Sequence, residues 1–526
     1  MTKKKLRSAA VIHLGSENIT MQIIEYTTLN DIRVVDEVRH RVRLGEEAFQ
    51  TRKISFGTTR QIVEILQGYR QLMRDFGVTD YILQATTAVR EAQNQQFFLD
   101  QVQIKTGFQI EVVNMSQEIY TKLASLVRTI GVEDEQSLPR DGILLADISS
   151  GGLGLTLLKN REIRFQQNLH VGLVRMKEQF TRNERSSSHF ERALNEYIHA
   201  RLVAVAEELA KEDIVTLVLT GTESQSLFDM FAQAAGGHEI PSFTAEQVEE
   251  FYQRIHRLSE AQLDKLFKLD REEGETALPA TALCRQLMQL SGARQVIMPQ
   301  DRFIDGMKIL YIARQLQDPF LQAMEELQMS LVRSMGSRFY YDAPHAAWVE
   351  KRASQLFDVL APSQGLTQVD KVLLQTAAYL HNIGKYVSLR NYNVYNYNLI
   401  STADILGFSE EQCRIVAQIT YLYTLNRPEL QGSDILPVQG VLPLAPQITP
   451  QVAKLAAILR AADSLDVSGK QKIKDCTMSI KGDELKVTVK SREDLALEEW
   501  TFSRRGSFFE EVFGLHLVLE KAGSGK

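Results

Sequence analysis

Cysteine is scarce in this sequence, and that scarcity narrows the functional class. The three cysteines, Cys284, Cys413 and Cys476, are odd in number and far apart, which excludes a disulfide framework or a cysteine zinc site and favours reduced thiols. The sequence also has no run of about 18 apolar residues, the length that a transmembrane helix needs. Its basic start is followed by a short apolar run that His13 interrupts, so we expect a cytoplasmic protein rather than a secreted one.

An excess of positive charge is also lacking. The formal net charge is −6, which argues against a general binder of nucleic acid or anionic membranes but is compatible with a local basic cleft for a polyanion. The chain has 526 residues, 44% of them apolar and only 12 of them proline, so it is expected to be globular throughout. A chain of this length exceeds a single core, which predicts three or four domains.

Two segments share one design, in which an apolar strand, a turn of small residues and a second apolar strand follow one another. The first covers residues 9–26 and turns at Gly15 and Ser16. The second covers residues 142–159, and its turn consists of Ser149, Ser150, Gly151 and Gly152. The repetition predicts two similar α/β halves that face each other across a cleft.

Asp147 stands at the end of the strand that leads into the second turn. Small residues in such a turn let backbone N–H groups approach an anion closely, and a carboxylate there can bind a metal ion or a water. For this segment alone, the alternative is an ordinary hairpin in which Asp147 starts the turn. A third turn of small residues, Thr220-Gly221-Thr222, follows the predicted strand 216–219.

Glu118 is predicted to lie near the mouth of the cleft. It follows a short strand at 109–113 and falls in the first turn of a helix with one apolar face, for which Ser116 is the predicted N-cap. On this pattern alone, an acidic residue in a first turn can simply favour the helix dipole.

Six segments, in a fixed order, resemble the exopolyphosphatase/guanosine pentaphosphate phosphohydrolase family of the sugar-kinase/actin superfamily. They are Gly15-Ser16, TTAVREAQN (86–94), EVVNMSQE (111–118), ADISSGG (146–152), VGLVR (171–175) and DGMKILY (305–311). The resemblance implies an α/β fold with two actin-like (ribonuclease H-like) domains around a cleft, then an all-α HD-like domain and a small C-terminal α+β unit. The implied boundaries are 1–130, 131–318, 319–470 and 471–526, with the helix at about 305–318 packing back on the first domain.

The family hydrolyses a terminal phosphoanhydride of polyphosphate or of guanosine pentaphosphate, with a divalent metal, a phosphate cradle and a carboxylate that activates water. The resemblance implies that Glu118 is the general base, that Asp147 helps to hold Mg²⁺, and that Arg90 lies near the phosphates. The implied phosphate-binding turns contain Gly15, Ser16, Ser149, Ser150, Gly151, Gly152, Gly221 and Thr222. Without the resemblance, Arg90 and its neighbour Glu91 are equally compatible with a surface ion pair.

The sequence departs from the family pattern at the loops. His13 stands where the first loop has an aspartate, usually next to the metal. Leu153 replaces a hydroxyl residue, Gly154 replaces a glutamate that matters for activity in relatives, and Ile304 stands where an arginine is common. A neutral imidazole is a poor substitute for a carboxylate around a hard cation, so we expect low affinity for Mg²⁺.

The segment LHNIGK (380–385) resembles the HD-type phosphohydrolase motif that longer members carry. An active site of that type needs histidines and an aspartate that converge on a metal, yet the second motif residue here is the neutral Asn382. The positions that resemble the remaining ligands are Tyr395, Tyr423, and Asp463 or Asp466. Only His381 then survives, and a lone histidine on an apolar helix is typically a hydrogen-bonded core residue. We therefore predict no catalytic metal in this domain.

The last part of the chain alternates between apolar and polar residues. The pattern over 471–519 predicts a small β unit with a turn at Gly482-Asp483 and a short helix at 507–513.

Two hypotheses follow for the function. The first is a Mg²⁺-dependent phosphoanhydride hydrolase, favoured by Glu118 and Asp147. The second is a weakened homologue that binds polyphosphate or guanosine tetra- or pentaphosphate as a regulator, favoured by His13, Gly154 and the emptied HD-like site. A homodimer is expected from the resemblance, whereas nucleic acid and membranes are not expected partners. A sugar kinase is disfavoured because no adenosine-site signature is found.

Overall fold

The computed structural model describes residues 5–129, 142–149, 152–221, 224–234, 242–269, 271–299, 301–425 and 448–522. The chain divides into two compact units, Met1–Leu327 and Gln328–Lys526, here called the first and second units. Among the helices in the described ranges, none is both long enough and apolar enough to span a bilayer.

The first half of the first unit is built on a sheet with a meander at one side. The strands are β1 (Arg7–Leu14), β2 (Asn18–Thr28), β3 (Asp31–Arg41), β4 (Tyr81–Ala85) and β5 (Glu111–Val112), in the order β3-β2-β1-β4-β5. β1, β2 and β3 are antiparallel, and β4 and β5 continue the sheet in parallel with β1. The helices of this half are α1 (Leu44–Thr51), α2 (Phe56–Asp75), α3 (Thr87–Arg90), α4 (Gln95–Thr106) and α5 (Met115–Thr129).

The second half of the first unit repeats this topology. The strands are β6 (Gly142–Ile148), β7 (Leu153–Lys159), β8 (Glu162–Leu169), β9 (Ile214–Gly221), β10 (Ser242–Thr244) and β11 (Gln295–Ile297). β6, β7 and β8 form the antiparallel meander, β9 and β11 follow in parallel with β6, and β10 closes the edge in antiparallel fashion. The predicted repeat of two similar α/β halves is therefore confirmed, and so is the actin-like fold class.

Helices cover the second half as well. They are α6 (Leu173–Gln179), α7 (Arg182–Arg185), α8 (Phe190–Ala210), α9 (Ser224–Ala234), α10 (Ala245–Ile255), α11 (Glu260–Phe267), α12 (Arg271–Ser291) and α13 (Phe303–Leu316). α13 contacts β1, β2 and α5, all in the sequence of the first half. It approaches α5 at Gly306, where an added Cβ would lie 1.9 Å from the carbonyl oxygen of Thr121. A glycine is required there, and it fixes the position of α5.

The second unit is mostly helical and ends in a small sheet. After α14 (Phe320–Arg338), which contains the division between the units, come α15 (Ala343–Gln364), α16 (Gln368–Leu380), a 3₁₀ turn (Ile383–Tyr386), α17 (Tyr392–Ser401), α18 (Glu410–Thr424), α19 (Thr449–Ser464) and α20 (Ala496–Phe513). The strands are β12 (Asp475–Lys481), β13 (Glu484–Lys490) and β14 (His516–Lys521). The predicted hairpin is confirmed, because Lys481 pairs with Glu484 around the Gly482-Asp483 turn.

The short C-terminal helix predicted at 507–513 is wrong, since α20 begins at Ala496. Gly506, directly before the predicted start, lies inside the helix. Phe502 is buried on the N-terminal side of that glycine, as Phe509 is on the other. Burial of both rings in one core stabilises the helix by more than Gly506 destabilises it, since a glycine inside a helix costs only about 1 kcal/mol.

Candidate active site

A cluster of four ionisable side chains lies where α5 passes the end of β6. The Lys122 ammonium is 2.7 Å from Oδ1 and 2.9 Å from Oδ2 of Asp147, and 3.3 Å from Oε1 of Glu118. On the other side of Glu118, Nη1 of Arg90 is 3.6 Å from Oε2. The predicted residues Glu118, Asp147 and Arg90 thus come together around a lysine that the sequence analysis did not single out.

The N-terminus of α5 places Glu118 at this cluster. The N–H of Gln117 donates to Oδ1 of Asn114 at 2.8 Å, and the N–H of Asn114 donates back to Oε1 of Gln117 at 3.1 Å. This reciprocal pair makes Asn114 the N-cap, so the assignment of Ser116 is wrong. Ser116 is buried inside the first turn. Glu118 and Lys122 are then one helical turn apart on the same face.

Asp147 is buried, and both of its carboxylate oxygens accept hydrogen bonds. It lies near the end of β6, opposite Thr220 of β9, whose hydroxyl donates to Oδ1 at 2.8 Å. With the two bonds from Lys122, both carboxylate oxygens accept from the protein itself. Asp147 does not start a plain turn, because its side chain connects β9 and α5 to β6.

The opposite charges in the cluster stabilise the ionised forms of Glu118 and Lys122. Burial opposes ionisation of Glu118, yet Lys122 and Arg90 lower the pKa of its carboxyl below the usual value. Burial likewise disfavours the ammonium of Lys122, but Asp147 and Glu118 raise its pKa. Glu118 and Lys122 are therefore both charged at neutral pH.

Arg90 ends the short helix α3 and points toward Glu118. Its Nη1 donates to the carbonyl of Val113 at 2.8 Å and its Nη2 to the hydroxyl of Thr87 at 3.1 Å. The neighbouring Glu91 instead lies 3.7 Å from Nη2 of Arg175. Arg90 is thus a positioned guanidinium beside Glu118 rather than half of a pair with Glu91.

His13 lies at the end of β1, close to the cluster. Its Nε2 is 3.4 Å from the hydroxyl of Thr86, and its ring packs 4.8 Å from that of Phe303, measured between centroids. Desolvation, with the charges of Lys122 and Arg302, lowers the pKa of His13 to about 3. The imidazole is neutral at physiological pH and contributes no negative charge to the site.

The described turns use several of their own N–H groups. The N–H of Gly15 donates to the carbonyl of Asn18 at 2.9 Å, and that of Ser149 donates to the carbonyl of Gly152 at 2.9 Å. The N–H of Gly152 donates to Oγ of Ser149 at 3.1 Å. All three N–H groups therefore have hydrogen-bond partners within the turns.

Ser16 and Gly221 have structural roles, the first through a backbone hydrogen bond and the second through close approach of two strands. The carbonyl of Ser16 accepts from the N–H of Gly45 at 2.7 Å. Gly221 has a φ of +124°, and an added Cβ would lie 1.7 Å from the carbonyl oxygen of Ile148. Only glycine allows β9 to run this close to β6. The candidate residues Ser150, Gly151 and Thr222 lie outside the described residues.

Gly154 lies on β7, paired with Asp147 across the hairpin. An added Cβ at this position would lie 2.3 Å from Cδ1 of Ile119, so the isoleucine of α5 fills the space that a side chain would need. Leu153 beside it is buried in the core. Apolar packing thus occupies the place where the resemblance led us to expect a glutamate.

This packing predicts the outcome of restoring a side chain at Gly154. Gly154→Ala is expected to destabilise α5 and β7 by about 1 to 3 kcal/mol through overpacking. The same change in an Ile119→Val background should cost much less, because Cδ1 is gone. Hydrogen exchange of peptides from α5 and β7 measures both. The control is Gly68→Ala in α2, where an added Cβ meets no atom within 4 Å. Equal costs in both backgrounds would contradict the assigned contact.

A second buried cluster lies in the second unit. His345, His381 and Asp463 each bring one potential ligand atom within 4.8 Å of the others. His345, at the start of α15, lies 2.8 Å through Nδ1 from Asp466 and 3.1 Å through Nε2 from Asp463. Nη1 of Arg505 donates to the other oxygen of Asp463 at 2.5 Å. The carboxylate of Asp463 is therefore held between two cationic side chains of the chain itself.

Both ring nitrogens of His381 also have hydrogen-bond partners. Its Nδ1 lies 2.7 Å from the carbonyl of Ala378, and its Nε2 lies 2.8 Å from the side-chain amide of Asn382. The expectation of a hydrogen-bonded core histidine fits these contacts. The expectation that His381 stands alone is wrong, because it overlooked His345. Tyr423 packs edge-on at 5.1 Å from His381, measured between ring centroids, and the histidine nearest to Asp463 is His345.

Two protein-family profiles match this chain. The profile of the Ppx/GppA phosphatase family matches residues 23–300, and the profile of Ppx/GppA phosphatase domain III matches residues 328–502. The chain belongs to the Ppx/GppA phosphatase family. The resemblance inferred from the six motifs is thereby confirmed.

Solved structures of Ppx/GppA proteins share the fold of more than half of the chain. The Aquifex aeolicus Ppx/GppA family member is 17% identical, with 59% of this chain and 99% of that one covered and a TM-score of 0.50. An Aquifex aeolicus PPX-GPPA enzyme is 16% identical, with 58% and 100% covered and a TM-score of 0.51. An exopolyphosphatase from Cytophaga hutchinsonii is 15% identical, with 59% and 98% covered and a TM-score of 0.50.

The residues of this Ppx/GppA protein do not fit the Mg²⁺ ion that the family resemblance implies. Mg²⁺ needs near-octahedral oxygen ligands at about 2.0 to 2.1 Å. Here the carboxylate of Asp147 accepts from Lys122 and Thr220, and His13 is a neutral nitrogen base. Gly154 supplies no ligand. A dication at Asp147 would also lie against the Lys122 ammonium, so no reaction step is assigned to a metal.

The sequence analysis missed two candidate functional residues, Lys122 and His345, although a sequence pattern indicated the orientation of each. Lys122 follows Glu118 at i+4 and therefore shares its helix face. His345 shares a face of α15 with the buried Val349 and Leu356, which marks it as an inward-pointing histidine. The sequence showed where these side chains point, but not what they meet.

Proposed function

We propose that this Ppx/GppA protein binds the terminal phosphates of polyphosphate or of guanosine tetra- or pentaphosphate at the Glu118–Lys122–Asp147 cluster, and that it hydrolyses the phosphoanhydride slowly or not at all. The observation that carries this proposal is the position of the Lys122 ammonium on both oxygens of Asp147. Family membership supports the ligand class, and this contact argues against the usual metal-assisted chemistry.

The cluster is better explained by binding than by stability. Buried ion pairs contribute little net stability, because the desolvation of two charges offsets their attraction. Perturbed pKa values and converging charges are typical of functional sites instead. Glu118 and Lys122 both carry such shifts, and Glu118 lies in one of the six motif segments.

Arg90 and Lys122 are the groups that would take the phosphate oxygens. Their cationic atoms lie 3.6 Å and 3.3 Å from the two oxygens of Glu118, so they flank one carboxylate. A terminal phosphate that enters between them exchanges a carboxylate oxygen for a phosphate oxygen as hydrogen-bond acceptor. Arginine suits this task because its planar guanidinium matches phosphate geometry.

Slow turnover is expected because carboxylates are missing at positions 13 and 154. His13 and Gly154 stand where relatives have carboxylates, and each lost metal ligand or transition-state donor typically costs a factor of about 100 to 1,000 in rate. One observation favours the hydrolase as a second candidate. Glu118 is ionised, as a general base must be, and it lies beside both cations.

Phosphate release from long-chain polyphosphate in the presence of Mg²⁺ separates the two candidates. We expect wild type and Glu118→Gln to differ by less than about tenfold, because a site without its metal ligands gains little from the base. Glu64→Gln, an exposed change on α2, is the matched control. A wild-type rate more than about a hundredfold above that of Glu118→Gln would establish the hydrolase instead. Absence of any binding to fluorescein-labelled polyphosphate or to guanosine tetraphosphate would remove the proposal.

A further inference from the structure

We propose that Lys122 is a built-in cation that stands in for the divalent metal, so that this site takes oligophosphate chains in their metal-free form. This inference rests on the proposed function and specifies its ligand. The juxtaposition that carries it is the Lys122 ammonium between Asp147 and Glu118, with contacts of 2.7, 2.9 and 3.3 Å.

The position of Lys122 is determined by the fold and does not depend on a flexible side chain in solvent. Its side chain is only 14% exposed, and that of Asp147 only 2%. Helix α5 is held against α13 by the close approach of Gly306 to Thr121, the residue before Lys122. Thr220 holds Asp147 from the opposite side at 2.8 Å. The ammonium therefore has little space to leave Asp147.

Among the described residues, Asp147 belongs to no group of three or more histidine, cysteine, aspartate or glutamate side chains whose ligand atoms converge. His13 lies against Phe303 and carries no negative charge. Across the hairpin, Gly154 has no ligand atom, and Ile119 fills the adjacent space. The positive charge that a phosphate chain requires at this point is supplied by Lys122, together with Arg90 beyond Glu118.

Removal of Lys122 has a specific consequence. Glu118 and Asp147 would then face the ligand without their shared cation, and two carboxylates repel a polyphosphate. A divalent ion could relieve that repulsion, because the oxygens of Asp147 would have lost two of their donors. Lys122→Met should thus change a metal-independent site into a metal-requiring one.

The test compares the binding of fluorescein-labelled medium-chain polyphosphate to the full chain in EDTA and in excess Mg²⁺. Wild type is expected to bind in EDTA at least as tightly as in Mg²⁺, which also competes for the polyphosphate in solution. Lys122→Met should lose about tenfold or more in EDTA and regain part of the loss with Mg²⁺. Lys122→Arg should retain binding in EDTA. Lys159→Met is the matched control, because Lys159 also forms a partly buried pair, 2.9 Å from Glu212.

The wild-type comparison alone keeps the inference open to refutation, even where Lys122→Met fails to fold. Binding by wild type only in Mg²⁺ would overturn the inference and leave the proposed function standing. Binding in neither condition would overturn both. Titration with Mn²⁺, followed by electron paramagnetic resonance without any phosphate, gives a separate readout. We expect no Mn²⁺ site in wild type that depends on Asp147, and a bound ion that Asp147→Asn abolishes would overturn the inference.

Discussion

Asp147→Leu is expected to lower the free energy of opening of α5 and β6 by about 3 to 5 kcal/mol, the usual cost of removing one partner from a buried ion pair. The variant leaves the Lys122 ammonium buried with only Glu118 at 3.3 Å, and it deprives the Thr220 hydroxyl of its acceptor. Hydrogen exchange with mass spectrometry of the full chain measures the effect in peptides from both elements. Peptides from α15 report whether the change is confined to the first unit.

A double-mutant cycle isolates the pair from other effects of the substitution. Adding Lys122→Met to Asp147→Leu removes the stranded ammonium, so the double variant should be more stable than the sum of the single losses predicts, by about 1 to 3 kcal/mol. Glu207→Gln is the control for an exposed pair, since its carboxylate lies 3.1 Å from Lys211 and both side chains are largely solvated. That change should cost less than about 0.5 kcal/mol. Additive losses at Asp147 and Lys122 would contradict the contact that carries both proposals.

Stability of the second unit is expected to fall as pH rises from 6.5 to about 9, because His345 is protonated in the folded state over that range. Although burial opposes the charge, Asp463 and Asp466 raise the pKa of His345 from 6.5 to about 9. The imidazolium therefore contributes its full stability below pH 6.5 and none above the folded pKa. A shift of this size corresponds to about 3 kcal/mol at most.

The acid side of the profile has the opposite sign. Despite burial, His345, His381 and Arg505 hold the pKa of Asp463 well below its usual 3.8. The contribution of Asp463 is present above pH 3.8 and disappears as pH falls toward the folded value. A plateau of stability is therefore expected between about pH 4 and 6.5.

Tryptophan fluorescence follows this unit within the full chain, because the only two tryptophans, Trp348 and Trp500, both lie in it. Urea midpoints at a series of pH values should show the decline between 6.5 and 9 for wild type. His345→Gln should be less stable at pH 6 and nearly flat across that window. His516→Gln, which removes an exposed histidine, should follow wild type. Parallel curves for wild type and His345→Gln would refute the assignment of the proton to His345.

Local patterns in the sequence were sufficient for most of the fold. The alternating and apolar runs placed β1, β6 and β9, and the repeated strand–turn–strand design indicated the duplicated topology that the two sheets show. Errors arose where local signals competed. Ser116 looked like a cap, but Asn114 has the partner at Gln117, and the helix predicted at 507–513 begins earlier because core packing continues α20 through Gly506.

From the amino-acid sequence, ordered motifs indicated the family and residue periodicity indicated the α/β class, because both are properties of neighbouring residues. That Glu118 and Asp147 share one site was implied by the family resemblance and not by periodicity. The tertiary structure alone decided what these carboxylates meet. Lys122 reaches Asp147 only because α13 and β9 hold α5 and β6 in register, and Arg505 reaches Asp463 only because α20 packs on α19. Such contacts join residues far apart in the chain, and their energy depends on burial, which no local pattern encodes.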